Sequence, residues 1–207
     1  MVGTHLNIKM RNILLVGWLL LPIGAWAYHE GPGQDRIALE ETDSVILAAQ
    51  KAVEEGEWKL AVAEYEAALS KLPKNPDAYD IKVVQRLQIE LNKARMQASG
   101  LPEARDELET LVEQMQQSED TDPVLMRDAR QALANAQFYK TWLMRLEGLD
   151  RTLWEPEIEA ARQNWRLLAE QATTESEKVL HQEDLEAAVR LARLEIEDLQ
   201  GLPLPSE

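Results

Sequence analysis

The chain has 207 residues, 22 Lys and Arg against 37 Asp and Glu for a net charge of −15, and no cysteine. That length supports one well-packed domain without a staple, and the missing cysteine excludes structural disulfides, thiol nucleophiles, Cys-ligated zinc and a lipidated N-terminal cysteine. The acidic balance argues against attraction to nucleic acid or to anionic lipid surfaces.

Residues 1–27 read as a secretory signal peptide. Lys9 and Arg11 precede the apolar run ILLVGWLLLPIGAWA, which carries Pro22 and Gly24 and ends in an A-x-A cleavage site, Ala25-Trp26-Ala27. An uncleaved anchor is the alternative, but a spanning helix needs about 20 apolar residues, and this run is shorter and interrupted by Pro22. Cleavage after Ala27 removes Lys9 and Arg11 and no acid, leaving 20 basic residues against 37 acidic ones, a net charge of −17. The expected location is a periplasm or an equivalent compartment outside the cytoplasm. No integral span would then remain.

Residues 28–41, YHEGPGQDRIALEE, hold Gly31, Pro32 and Gly33 without a sustained apolar period and are expected to be a flexible lead-in. Beyond them the chain is rich in Ala, Leu, Glu, Gln and Arg, poor in β-branched residues, and helical in pattern. A first helical pair spans about 42–72, its second helix placing Trp58, Ala61, Val62, Tyr65, Ala68, Leu69 and Leu72 on one face. Asn75-Pro76 opens the next helix, from about Asp77 to Ala98, with Ile81, Val84, Leu87, Leu91 and Ala94 inward. Gly100 and Pro102 end it, and a shorter helix follows with Ala104, Leu108, Leu111, Val112 and Met115 inward.

Asp122-Pro123 caps a long helix from Val124 to Glu147 whose apolar stripe is Leu125, Ala129, Ala132, Ala136, Tyr139, Leu143 and Leu146, closed by Gly148. The next helix carries Ile158, Ala161, Trp165 and Leu168. A last one, opened by the capping box Thr174 to Glu177, carries Leu185, Ala188, Ala192, Ile196 and Leu199. Residues 200–207 are expected to be a flexible tail.

The first pair resembles a tetratricopeptide repeat (TPR), a unit of about 34 residues that stacks into a superhelix. The resemblance rests on Ala49, Gly56, Ala61, Tyr65, Ala68 and Pro73 in a unit at about 42–75. Small residues at Ala49, Ala61 and Ala68 let the backbones approach, and Tyr65 fills the gap towards the next pair. Ala52 and Val45 depart from the family's usual aromatics. The second-helix order recurs at Ala104, Leu108 and Leu111 and at Ala161, Trp165 and Leu168, after first helices longer than the family norm. The fold expected over 42–199 is all-α: antiparallel hairpins in a TPR-like α-solenoid, about three of them, with a C-terminal capping helix. The alternative is a generic helical bundle containing one well-formed hairpin.

No familiar catalytic or metal motif is present. His29 and His181 lack partners at ligand spacing, HExxH, GxSxG and a Gly-rich phosphate loop are absent, and carboxylate pairs such as Glu54-Glu55 and Asp106-Glu107 read as solvated faces. No catalytic residue, metal or cofactor is expected. Of the tryptophans, Trp58 and Trp165 fall on apolar stripes and read as core. Trp142 lies off its helix's main stripe and Trp154 precedes Pro156 in an apparent connector, so those two are the surface candidates.

Basic residues concentrate on the first helices of the later pairs: Lys82, Arg86, Lys93 and Arg95, then Arg127, Arg130, Lys140 and Arg145. Lys82, Arg86 and Lys93 share a helical stripe. In tetratricopeptide-like stacks the first helices line the concave groove, so the resemblance implies a basic strip, extended by Arg127, Arg130 or Arg145, for an acidic peptide segment. The competing explanation pairs these residues internally with Glu103, Glu107, Glu109 and Glu113. The expected function is an exported, non-enzymatic adaptor or scaffold binding a protein partner in the groove. The alternative is a structural subunit that docks on a membrane-associated envelope complex or on another copy of itself.

Overall fold

The computed structural model of the chain describes residues 32–73 and 79–195. The expected signal peptide with Ala25 and Ala27, the turn at Asn75-Pro76, the inward positions Ile196 and Leu199 and the tail at 200–207 lie outside the described residues. Those described form seven helices and no strand: α1 (Pro32–Glu54), α2 (Trp58–Lys71), α3 (Ile81–Gln97), α4 (Leu101–Gln117), α5 (Pro123–Leu146), α6 (Arg151–Gln171) and α7 (Glu175–Arg193). The fold is an all-α stack of three hairpins, α1–α2, α3–α4 and α5–α6, with α7 packed on α6.

Side-chain caps set several of the starts. The Asp122 carboxylate accepts from Val124 N–H at 2.9 Å and more weakly from Leu125 N–H, with Pro123 at the first position, where its missing N–H costs nothing. At α7 the expected capping box is complete, the Thr174 hydroxyl accepting from Glu177 N–H and the Glu177 carboxylate accepting from Thr174 N–H.

Three boundaries differ from the sequence reading. First, α1 begins at Pro32, so most of the segment expected to be a flexible lead-in is helical. Thr42 is buried there, its hydroxyl donating to Ala38 O, and Glu41 reaches Lys71 of α2 at 2.9 Å. Second, Asp80 caps α3 through Lys82 N–H, which moves its start from Asp77 to Ile81 and leaves Ile81 exposed and Val84 half-buried. Third, α6 starts at Arg151 behind the Asp150 cap and carries Pro156 inside it, so Trp154 stands in its first turn rather than in a connector.

The apolar interior consists of three cores in series. Each is built by one hairpin and the helix that follows it: α1, α2 and α3; α3, α4 and α5; α5, α6 and α7. The second helices repeat one register. Ala61, Tyr65 and Ala68 on α2, Ala104, Leu108 and Leu111 on α4, and Ala161, Trp165 and Leu168 on α6 are all buried at steps of four and three. Ala49 and Ala52 of α1 are buried opposite the first set, and Pro73 is buried just past its end.

The turns within the hairpins close in one way too. Gly56, Ser99 and Gly148 adopt positive φ of 72, 74 and 72°. In each turn the next residue's N–H donates back across it: Glu57 to Ala52 O, Gly100 to Arg95 O and Leu149 to Met144 O. At the second turn a serine therefore occupies the conformation that glycine fills in the other two.

Central helix α5 is buried all round from residue 132 to 138, because it also packs against α3 across the stack. Beyond that stretch its buried side changes from the expected stripe, and Leu143 and Leu146 are exposed while Thr141 and Arg145 are buried.

Candidate functional site

A groove of about 840 Å³ runs along α3 and α5 and opens beside the first two turns within the hairpins, between α1 and α2 and between α3 and α4. Its walls come from Val53 near the end of α1, Trp58 at the start of α2, Met96 at the end of α3, Leu101 at the start of α4, and Tyr139, Trp142 and Leu143 on α5. Polar lining comes from Glu90 and Lys93 on α3 and from Asp128, Gln131 and Asn135 on α5. The first helices of all three hairpins thus contribute, and Ser99, at its positive φ, sits on the rim.

The lining has a local cause in the sequence. On α5, positions 128, 131, 135, 139 and 142 form one stripe at steps of three and four, and it faces the opening. Trp142 and Tyr139 are half-buried, with Tyr139 edge-on to Phe138 of the core, and Leu143 is 44% exposed. Trp58 is half-buried at the opposite wall, which corrects its assignment to the core; Trp165, by contrast, is fully buried as expected.

The basic residues do not assemble into a strip along this groove. Of those named from the sequence only Lys93 lines it, and its ammonium is 3.0 Å from the Glu90 carboxylate. Lys82 reaches Asp122 at 3.5 Å, and Arg86 is exposed without an ion pair to a described residue. Arg127, Arg130 and Arg145 fall on the other α5 stripe, with Ala134, Phe138 and Thr141, which is turned towards α6 and α7.

Arg127 adds a small charge effect at Glu177 of α7. Arg130 is buried beside Met126, its guanidinium pushed below the ordinary value by desolvation. Arg145 is buried and donates to the carbonyls of Leu191 and Leu194, the last acceptors of α7, with its guanidinium 4.8 Å from the Trp154 ring centroid. An arginine from α5 thus caps the C-terminus of α7, a position where positive charge is favoured. Trp154 is buried beneath that arginine and is not a surface ring.

Internal pairing occurs for Lys82, Lys93, Arg95 and Lys140, with Arg95–Glu107 as expected and the other three meeting acids other than those named from the sequence. Arg95 bridges Glu66 of α2 and Glu107 of α4. The half-buried Glu157 of α6 takes Arg105 of α4 at 3.0 Å and Lys140 of α5 at 2.9 Å, and Glu109 pairs with Arg105. Glu103 and Glu113 form no ion pair with a described residue.

Sequence reasoning missed Tyr139, Leu143, Asp128 and Gln131 as a shared surface. The signal was the run of polar residues at 128, 131 and 135 in line with Tyr139 and Trp142, a stripe too mixed for a core. Among the described residues no group of three or more His, Asp or Glu is arranged to hold a metal ion, and no helix is long and apolar enough to cross a membrane. No family model, curated protein or solved structure matches the chain.

Proposed function

We propose that this protein is an exported, non-enzymatic adaptor of tetratricopeptide-repeat-like construction that holds a segment of a partner protein in the groove along α3 and α5. The observation that carries the reading is the half-buried aromatic lining, Trp58 at the start of α2 facing Tyr139 and Trp142 on α5, beside exposed Leu143. A groove with apolar anchors and a few polar groups for orientation is the usual form of segment capture. The repeat-like part rests on the second-helix register, which recurs three times, and on the first unit with Gly56 at its turn. The position of Arg127, Arg130 and Arg145 removes the reason to expect an acidic occupant.

Export rests on residues 1–27; mass spectrometry of the protein from its host should find Tyr28 at the N-terminus, and a chain retaining Lys9 and Arg11 would refute it. The groove is tested by placing a photo-cross-linking residue at Gln131, inside it, or at Gln163, exposed on α6. Discrete adducts from position 131 and none from 163 support capture; equal labelling at both, or none at 131, refutes it.

A second reading, a permanently docked structural subunit, draws on Leu146, Leu149 and Leu153, exposed together around the α5–α6 turn. Light scattering on the purified chain separates the two readings, a monomer favouring capture and an obligate oligomer favouring the subunit.

A further inference from the structure

We infer that the groove's occupant is a cationic amphipathic segment, with an apolar face for the aromatic wall and Lys or Arg along its flanks. This rests on the groove reading above and goes beyond it by fixing the sign of the partner's charge.

The charge lining the groove and its aromatic wall carry the inference. Within the lining Lys93 pairs with Glu90. The other acid that lines the groove, Asp128, is exposed and has no ion pair to a described residue. On the basic side Lys93 is thus paired, Lys59 lines a separate cleft with Arg95, Glu103 and Glu107, and Arg127 belongs to the α5 stripe turned towards α6 and α7.

The groove therefore joins an aromatic and apolar wall to one unpaired carboxylate, within a chain of net −15. An acidic occupant would meet Asp128 as a like charge, whereas a basic one meets in Asp128 a carboxylate with no ion-pair partner among the described residues. The rings add to this preference, because the faces of Trp58, Tyr139 and Trp142 attract ammonium and guanidinium groups.

Three synthetic helices of roughly 18 residues, about five turns, test it. They share one leucine face and differ in carrying Lys, Gln or Glu on the polar face. Each is titrated against the full chain by tryptophan fluorescence at two salt concentrations, with Leu143→Glu as the control variant. That substitution makes the protein more acidic, so adventitious attraction of a basic peptide survives it while groove binding does not.

The expected result is that the Leu/Lys helix binds at least tenfold tighter than the Leu/Glu helix and weakens with salt. Leu143→Glu should abolish this binding, and Asp128→Asn should weaken it about two- to fivefold while leaving the Leu/Gln helix unaffected. If the Leu/Gln or Leu/Glu helix binds as tightly and Leu143→Glu abolishes that binding, the cationic inference falls and the groove reading stands. If no helix binds, or if binding ignores Leu143→Glu, the groove reading itself falls. A dimer that Leu143→Glu dissociates would make a second copy the occupant and overturn the inference.

Discussion

The second helices and the first helices of the hairpins obey different rules. On α2, α4 and α6 one register, a small residue followed at four and seven by larger or small apolar ones, is buried throughout. On α3 and α5 each helix serves its own hairpin, the preceding one and the groove, so its apolar residues divide between stripes. Ile89 belongs to one core while Leu87, Leu91 and Ala94 belong to another, and Ala132 and Ala134 divide in the same way. A helix with one buried face can be read from period alone. A helix in the middle of a stack cannot, because each of its stripes has a different neighbour.

The largest effects should come from breaking the second-helix register. Trp165→Ala, at a fully buried ring edge-on to Phe138, should destabilise by about 3–5 kcal/mol. Ala161→Trp should cost about 1–3 kcal/mol or more by overpacking the same approach. Urea unfolding measures both, and wild-type midpoints would show that the register is not buried as described.

Arg145→Ala tests the reassigned face of α5. It removes the donor to the last α7 carbonyls, a charged interaction of about 1.5–3 kcal/mol, and should loosen α7 first, visible as faster amide exchange from residue 187 onward. Lys82→Glu, at an exposed pair, should shift stability by no more than about 1 kcal/mol. Equal effects from the two substitutions would erase the distinction between the arginine that braces α7 and the lysine at the surface.

Ser99→Gly should act in the opposite direction. A non-glycine residue at positive φ costs about 1–2 kcal/mol, and Gly56 and Gly148 avoid that cost in the equivalent turns. The variant should melt higher than wild type, and an unchanged or lower melting temperature would show that Ser99 is not strained.

The smallest effect concerns acid. Hydrogen bonds from the Thr173 side chain and from the backbone of Thr173 and Thr174 hold the Glu177 carboxyl below its ordinary 4.5. The Val124 N–H, then Leu125 N–H and nearby Lys82, hold Asp122 below 3.8. A carboxyl whose folded pKa is depressed stabilises the fold fully above its ordinary value and loses that contribution as pH falls through the folded one. Melting temperature should therefore decline as pH drops below about 4.5, and Glu177→Gln should flatten the first part of that decline. An unchanged slope would show that the capping box does not titrate with folding.

These contrasts also explain what the sequence revealed. The second helices, the caps at Asp122 and Thr174 and the turn at Gly56 were legible because each is a local pattern with a local cause. The role of Arg145 was not, since its acceptors lie 46 and 49 residues away and nothing near it marks it as a cap. Trp154 was misplaced because Pro156 suggested a connector, whereas Pro156 stands inside α6, and the carbonyl four residues before it, which lacks its usual donor, belongs to exposed Thr152. The groove escaped notice because its lining mixes aromatic, amide and carboxylate residues from five helices.

Under the proposed function the groove stripe of α5 serves binding while the opposite stripe serves stability. Leu143→Glu tests it most directly when melting temperature and cross-linking from position 131 are measured on the same protein. The prediction is a melting temperature within about 2 °C of wild type, as for a surface substitution, together with loss of the adduct. A fall of about 8 °C or more with the adduct retained would place Leu143 in the structural interior and contradict the account.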